Sequence, residues 1–148
     1  MYTRILVAID GSDTAQRALD EAITLATALK AKLCIAHALD EGLLTQHALG
    51  IGTYLDADKI KADMRQAATQ LLAAAVAAAE AAGVKVEQML IESEKKRTAE
   101  QIADSAKQWK ANLVVVGTHG RRGVDRLLVG SVAENLARLV KTSLLMVR

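Results

Sequence analysis

The chain has no phenylalanine and no proline, and its one tryptophan and two tyrosines bring aromatic residues to 2% of 148. Binding of nucleic-acid bases by stacking needs a supply of exposed rings, and almost none exist here. The interior must therefore be built from Ala, Leu, Val and Ile, which suits helices packed closely on a sheet. Cys34 is the only cysteine, which excludes an intramolecular disulfide, and within Leu33-Cys34-Ile35-Ala36 it reads as a small buried side chain. No apolar run approaches the roughly 18 residues of a membrane span, and Met1-Tyr2-Thr3-Arg4 leads into a short strand-like run without a signal-peptide core. A cytoplasmic setting without membrane contact is expected. The formal net charge is only +2 and its basic residues are spread along the chain, so nucleic acid is not expected as a partner.

What is present is apolar and periodic. Hydrophobic residues make up 51% of the chain, enough for the core of one domain spanning residues 1–148. Residues 4–9 form a continuous apolar run, too short for a helix and ended by Asp10-Gly11-Ser12, which reads as a strand buried on both faces. From Ser12 or Asp13 as N-cap, Ala15, Ala18, Leu19, Ala22, Ile23, Ala26 and Leu29 recur at helical spacing. The same reasoning predicts strands over 32–39, 84–91, 113–116 and 143–147. Helices are expected over about 56–82 with Gly83 as its C-cap glycine, from the capping-box pattern Thr98-Ala99-Glu100-Gln101 onward, and over 131–140. Residues 40–54 hold three glycines together with Leu43, Leu44, Leu49 and Ile51, more apolar than a solvated loop, and are read as a cover over a site or a partner surface. The order β-α-β-α-β-α-β-α-β predicts a parallel sheet with helices on both faces and a ligand crevice at the carboxyl ends of its strands.

One spacing points to chemistry. Gly117, Gly120 and Gly130-Ser131 stand in the frame G-T-H-G-x9-G-S between the fourth strand and the last helix. Glycine lets backbone amides approach a ligand without a Cβ in the way, and the free N–H groups of a helix start attract anions. The implied ligand is a phosphate. No Lys-Ser or Lys-Thr follows the last glycine as a P-loop requires, and the dinucleotide pattern G-x-G-x-x-G is absent.

The frame resembles the nucleotide-binding signature G-x2-G-x9-G-S/T of the universal stress protein family, and Ala8-Ile9-Asp10-Gly11-Ser12 resembles that family's first strand ending. The resemblance covers nearly the whole chain. It implies an α/β, single-domain, flavodoxin-like fold (adenine nucleotide alpha hydrolase-like), a three-layer sandwich around a five-stranded parallel sheet. It also implies a homodimer and ATP held across strands one, two and four. Carried over residue by residue, Ala8 and Asp10 end the first strand, with Asp10 toward the ribose or a phosphate-bound cation, and Ala38 offers backbone groups to the adenine edge. Gly117 and Gly120 line ribose and phosphates, and Gly130, Ser131 and Val132 give amides to the terminal phosphates. Mg2+ would be bound through those phosphates, and Arg121 or Arg122 would add charge.

Each residue also has a structural reading. Ser131-Val132-Ala133-Glu134 is a complete capping box, Asp10-Gly11-Ser12 is a turn plus a helix cap, and the glycines suit tight turns. His37, His47 and His119 have no metal-site spacing. A catalytic account would draw on Asp10, Ser131, His119 or Asp125, none with a visible partner, so no enzyme is established. The favoured function is an ATP-binding stress or signalling module whose nucleotide state controls an unknown protein partner. A slow ATPase or self-phosphorylating enzyme and a nucleotide-free dimeric scaffold are the alternatives. The apolar last strand, Ser143–Val147, is expected at a sheet edge, where pairing with its copy would form the homodimer.

Overall fold

A computed structural model describes residues 1–40, 57–92, 95–120 and 129–148. Arg121, Arg122, Asp125 and all of the 40–54 segment except Asp40 lie outside the described residues. The elements follow in the order β1 (Arg4–Ala8), α1 (Asp13–Leu29), β2 (Lys32–Ala38), α2 (Ala57–Ala81), β3 (Val86–Ile91), α3 (Thr98–Gln108), β4 (Leu113–Gly117), α4 (Ser131–Leu139) and β5 (Ser143–Val147). All five strands are parallel in one sheet of order β3-β2-β1-β4-β5. The order reverses between β1 and β4, which places the crevice where these two strands end.

Alternation along the strands builds a core on each face. Ile5 and Val7 of β1 join Leu33, Ile35, Leu113 and Val115 under α1 and α2, while Leu6 and Ala8 join Cys34, Ala36, Val114 and Val116 under α3 and α4. Alanine fills the helix side of both layers, Ala15, Ala18, Ala22 and Ala26 on α1 with Ala75 and Ala79 on α2 over one face, and Ala99 and Ala106 on α3 with Ala133 on α4 over the other, so the helices lie close on the sheet as the ring-poor composition requires. Burial, with Glu87 nearby, pushes the Cys34 thiol up to about 12, which makes it a core side chain and not a nucleophile.

At the amino-terminal edge of the sheet three helices end alike. Ala31, Val84 and Ala111 donate their N–H groups back to the carbonyls of Ala26, Ala79 and Ala106, a Schellman closure around Lys30 (φ 53), Gly83 (φ 77) and Lys110 (φ 58). This shortens the third strand from its expected start at Val84, because the Val84 amide closes α2 and is not free to enter the ladder. The edge is further tied by Asn112, whose Oδ1 accepts from the N–H groups of Thr3 (3.1 Å) and Arg4 (3.0 Å). Arg4 donates through Nε to the Trp109 carbonyl at 2.9 Å with its guanidinium 4.0 Å from the indole centroid, and the indole N–H donates to Glu87 at 3.0 Å. The start of α3 differs from its expected cap: Arg97, not Thr98, is the N-cap, and the Glu100 carboxylate accepts the Arg97 N–H at 3.3 Å.

Candidate functional site

At the opposite edge, the exits of β1 and β4 meet. The Ile9 carbonyl accepts a bond of 2.7 Å from Nδ1 of buried His37, which fixes the histidine tautomer because a carbonyl can only accept, and binds the end of β2 to the end of β1. Asp10 Oδ1 then accepts both the Ser12 N–H (2.9 Å) and its hydroxyl (2.5 Å), an Asx turn made possible by Gly11 at φ 82. Ser12 Oγ accepts the Ala15 N–H at 3.3 Å and so caps α1 from within its own turn.

The β4 exit is bonded to this first turn. Thr14 Oγ1 donates to the His119 carbonyl, and Ser12 Oγ lies 3.3 Å from the same oxygen. A Cβ on Gly117 would stand 2.6 Å from Thr14 Oγ1, 2.7 Å from the Thr14 carbonyl carbon and 2.9 Å from the Ala15 nitrogen, so this glycine is required by the close approach of α1 to the end of β4. Gly120 faces Asp10, whose Oδ2 would be 3.0 Å from a Cβ there. Thr118 holds the turn from both sides, donating its N–H to the Val147 carbonyl at the end of β5 (2.8 Å) and accepting the Gly130 N–H (2.5 Å). The 118–120 turn is thus closed against Gly130 across nine intervening residues of the sequence frame.

The last helix begins differently from the expected capping box. Its N-cap is Gly130, in extended conformation, and Ser131 is the first helical residue. Two bonds explain the shift: the Glu134 N–H, which a Ser131 cap would hold, goes to the Gly130 carbonyl at 3.0 Å, and the Glu134 carboxylate turns along the helix to Arg138 at 2.8 Å instead of reaching back. With no side chain at the N-cap, the amides of Ser131, Val132 and Ala133 have no intrahelical acceptor and no capping oxygen. Beside them, His119 shares a 2.9 Å bond through Nδ1 with Thr118 Oγ1, while its Nε2 is buried without a hydrogen-bond partner. Buried polar atoms are seldom left unpaired, and this one stands beside three amides that have no side-chain cap.

Of the nine expected site residues, Ala8, Asp10, Ala38, Gly117, Gly120, Gly130, Ser131 and Val132 all stand at the carboxyl edge of the sheet, and Arg121 lies outside the described residues. Sequence reasoning gave no role to His37 and Thr14, and weighed His119 only as a catalytic candidate without a visible partner. The hydroxyl pair Ser12 and Thr14 in one helix turn and the histidine immediately before Ala38 were the available signals. Among the described residues no three His, Cys, Asp or Glu side chains form a metal-binding group. No helix among the described residues is long and apolar enough to cross a membrane.

The model of the universal stress protein family matches residues 1–148. A universal stress protein of Bacillus subtilis (strain 168), YxiE, is 32% identical over 151 residues, covering the whole of both chains. The crystal structure of a family protein from Burkholderia pseudomallei superposes with a TM-score of 0.79 at 32% identity over 99% of this chain and 96% of that one. A universal stress protein solved in complex with cAMP matches with a TM-score of 0.71 at 31% identity, over 99% and 97% of the two chains.

Proposed function

The chain belongs to the universal stress protein family, and on that premise we propose that it is an ATP-binding stress or signalling module whose site is the carboxyl edge between β1 and β4. The carrying observation is the start of α4, where three amides stand without a side-chain cap next to the orphaned His119 Nε2. A relative of 31% identity holds a cyclic adenine nucleotide, which supports the ligand class.

In this reading the terminal phosphates lie against the N–H groups of Gly130's successors, Ser131 and Val132, with the Ser131 hydroxyl beside them. A helix start contributes roughly 0.3 to 1 kcal/mol to an anion, far below the roughly 8 kcal/mol of micromolar binding, so several amides and adenine burial must share the work. Ala8 and Ala38 border the adenine, Asp10 and Gly120 the ribose side. Mg2+ is held chiefly by the phosphates, because no cluster of acidic side chains among the described residues would hold it alone. Asp10 Oδ1 is engaged by Ser12, which favours binding over turnover. Arg121 remains a candidate for charge at the phosphates.

The module is proposed to act in the cytoplasm as a homodimer. β5 is an edge strand and exposes Met146 (42%), and pairing with a second β5 would satisfy its outer backbone groups. Because Thr118 is bonded to Val147, the ligand turn and this edge are in direct contact, a route by which nucleotide could change the surface offered to a partner. Thermal unfolding with and without Mg-ATP tests the site: ligand at a hundred times its dissociation constant adds roughly 2.7 kcal/mol, several degrees for this size. A shift with ATP and none with GTP is expected, and none with either at millimolar concentration, in protein shown free of copurified nucleotide, would remove the reading. Light scattering that gives a monomer at micromolar concentration would remove the dimer.

A further inference from the structure

Away from the glycine turns, an elongated groove of about 710 Å3 runs beside α3. It extends from Lys96, before the helix, to Lys110 and Ala111, after it, and its far wall is the turn from α4 to β5, Leu139 to Thr142. The groove lies where the flank of α3 meets the end of α4, which stops at Leu139. An 11-residue helix is about 16 Å long, which matches about five residues of extended chain at roughly 3.3 Å each.

Floor and rim differ in character. The floor is apolar, formed by Ala103, Ala106, Ala111 and Val140, with Leu139 left 43% exposed. The rim carries Lys96, Lys107, Lys110 and Lys141 against Glu100 and Asp104. Lys96 pairs with Asp104, and Glu100 accepts the Arg97 N–H. Lys107, Lys110 and Lys141 then have no ion pair with any described residue, and all three stand at the same end of the groove, around exposed Leu139. The carbonyl ends of α3 and α4 favour lysines at 107 and 141 but do not account for the exposed leucine between them.

We infer that this groove binds a short acidic peptide segment of a partner protein, laid along α3 with an apolar side chain on the Ala103 to Leu139 floor and its carboxylates toward Lys107, Lys110 and Lys141. The apolar anchor supplies affinity, and the lysines supply orientation and encounter rate. The inference is independent of the nucleotide site.

The test is fluorescence anisotropy with the fluorescein-labelled peptide Glu-Leu-Asp-Glu-Leu-Asp and a version in which Ser replaces both Leu. Lys107→Glu/Lys141→Glu is compared with Lys30→Glu/Lys32→Glu, which makes the same charge change at the α1–β2 turn, each checked for an unchanged melting curve. Saturable binding is expected, at least tenfold weaker for the groove variant, less than twofold weaker for the control, and at least fivefold weaker for the serine peptide. Equal loss in both variants, or equal binding of the serine peptide, would reduce the groove to unspecific attraction and overturn the inference. So would absence of binding at millimolar peptide. Resonance shifts confined to α3 and Leu139 to Thr142 would support it where a variant melts early.

Discussion

The two edges of the sheet solve the same problem, how to connect strand to helix, in opposite ways. At the amino-terminal edge the first three helices close on themselves: Ala31, Val84 and Ala111 return their amides to the preceding turn, and Asn112, Arg4 and Trp109 tie neighbouring elements together. At the carboxyl edge the turns are bonded to each other instead, Thr14 to His119, Thr118 to Gly130 and to Val147, while the last helix keeps its first amides open. One edge has completed its hydrogen bonding internally and can serve stability. The other has left part of it undone, and an unfinished set of donors is what a ligand needs.

This contrast is open to direct attack. The largest effect should come from Trp109→Ala, which removes a buried ring, its cation contact and its bond to Glu87; a loss of about 3–5 kcal/mol is expected in denaturant unfolding, with ATP affinity unchanged in the folded fraction. Gly117→Ala comes next, because its Cβ meets backbone as well as the Thr14 side chain and α1 must shift; a loss of about 1–3 kcal/mol is expected, with weaker nucleotide binding. Equal stability to the native chain would show that the close approach is soft. Gly130→Asp separates the two edges more finely. It supplies the missing cap but brings a Cβ to 3.0 Å from the Thr118 carbonyl oxygen and puts a carboxylate where phosphate is proposed, so ATP affinity should fall at least tenfold, about 1.4 kcal/mol, in protein that still unfolds cooperatively. The smallest effect is a gain: Lys30→Gly or Lys110→Gly relieves a left-handed backbone that costs roughly 1–2 kcal/mol, offset by about 0.4–1 kcal/mol of added freedom in the unfolded chain, and should raise stability slightly without touching nucleotide binding.

Much of this was legible in the chain. The strands and helices follow from short apolar runs and 3.6-residue stripes, and Gly83 marked its own helix end. The left-handed turns at Lys30 and Lys110 carried no such mark, since lysine there is set by the closure around it and not by its own preference. The capping box at Ser131 and Glu134 was a sound local pattern that lost to two partners, the Gly130 carbonyl for the Glu134 amide and Arg138 for the carboxylate. Gly117 looked like a ligand glycine, and its observed contacts are with Thr14 and Ala15, a hundred residues earlier and invisible to any local reading. The G-x2-G-x9-G-S frame spans the exit of β4 and the start of α4, while the histidines at this edge, His37 and His119, became visible only with the strands in register.

The single indole has an optical consequence. Trp109 sits under the Arg4 guanidinium at the self-closed edge, on the far side of the sheet from the glycine turns. Its emission is therefore a built-in gauge of that edge alone, blind to whatever docks at the other. A dye carried on the nucleotide would read the second edge, and the two colours followed together during heating would tell which end of the sheet lets go first.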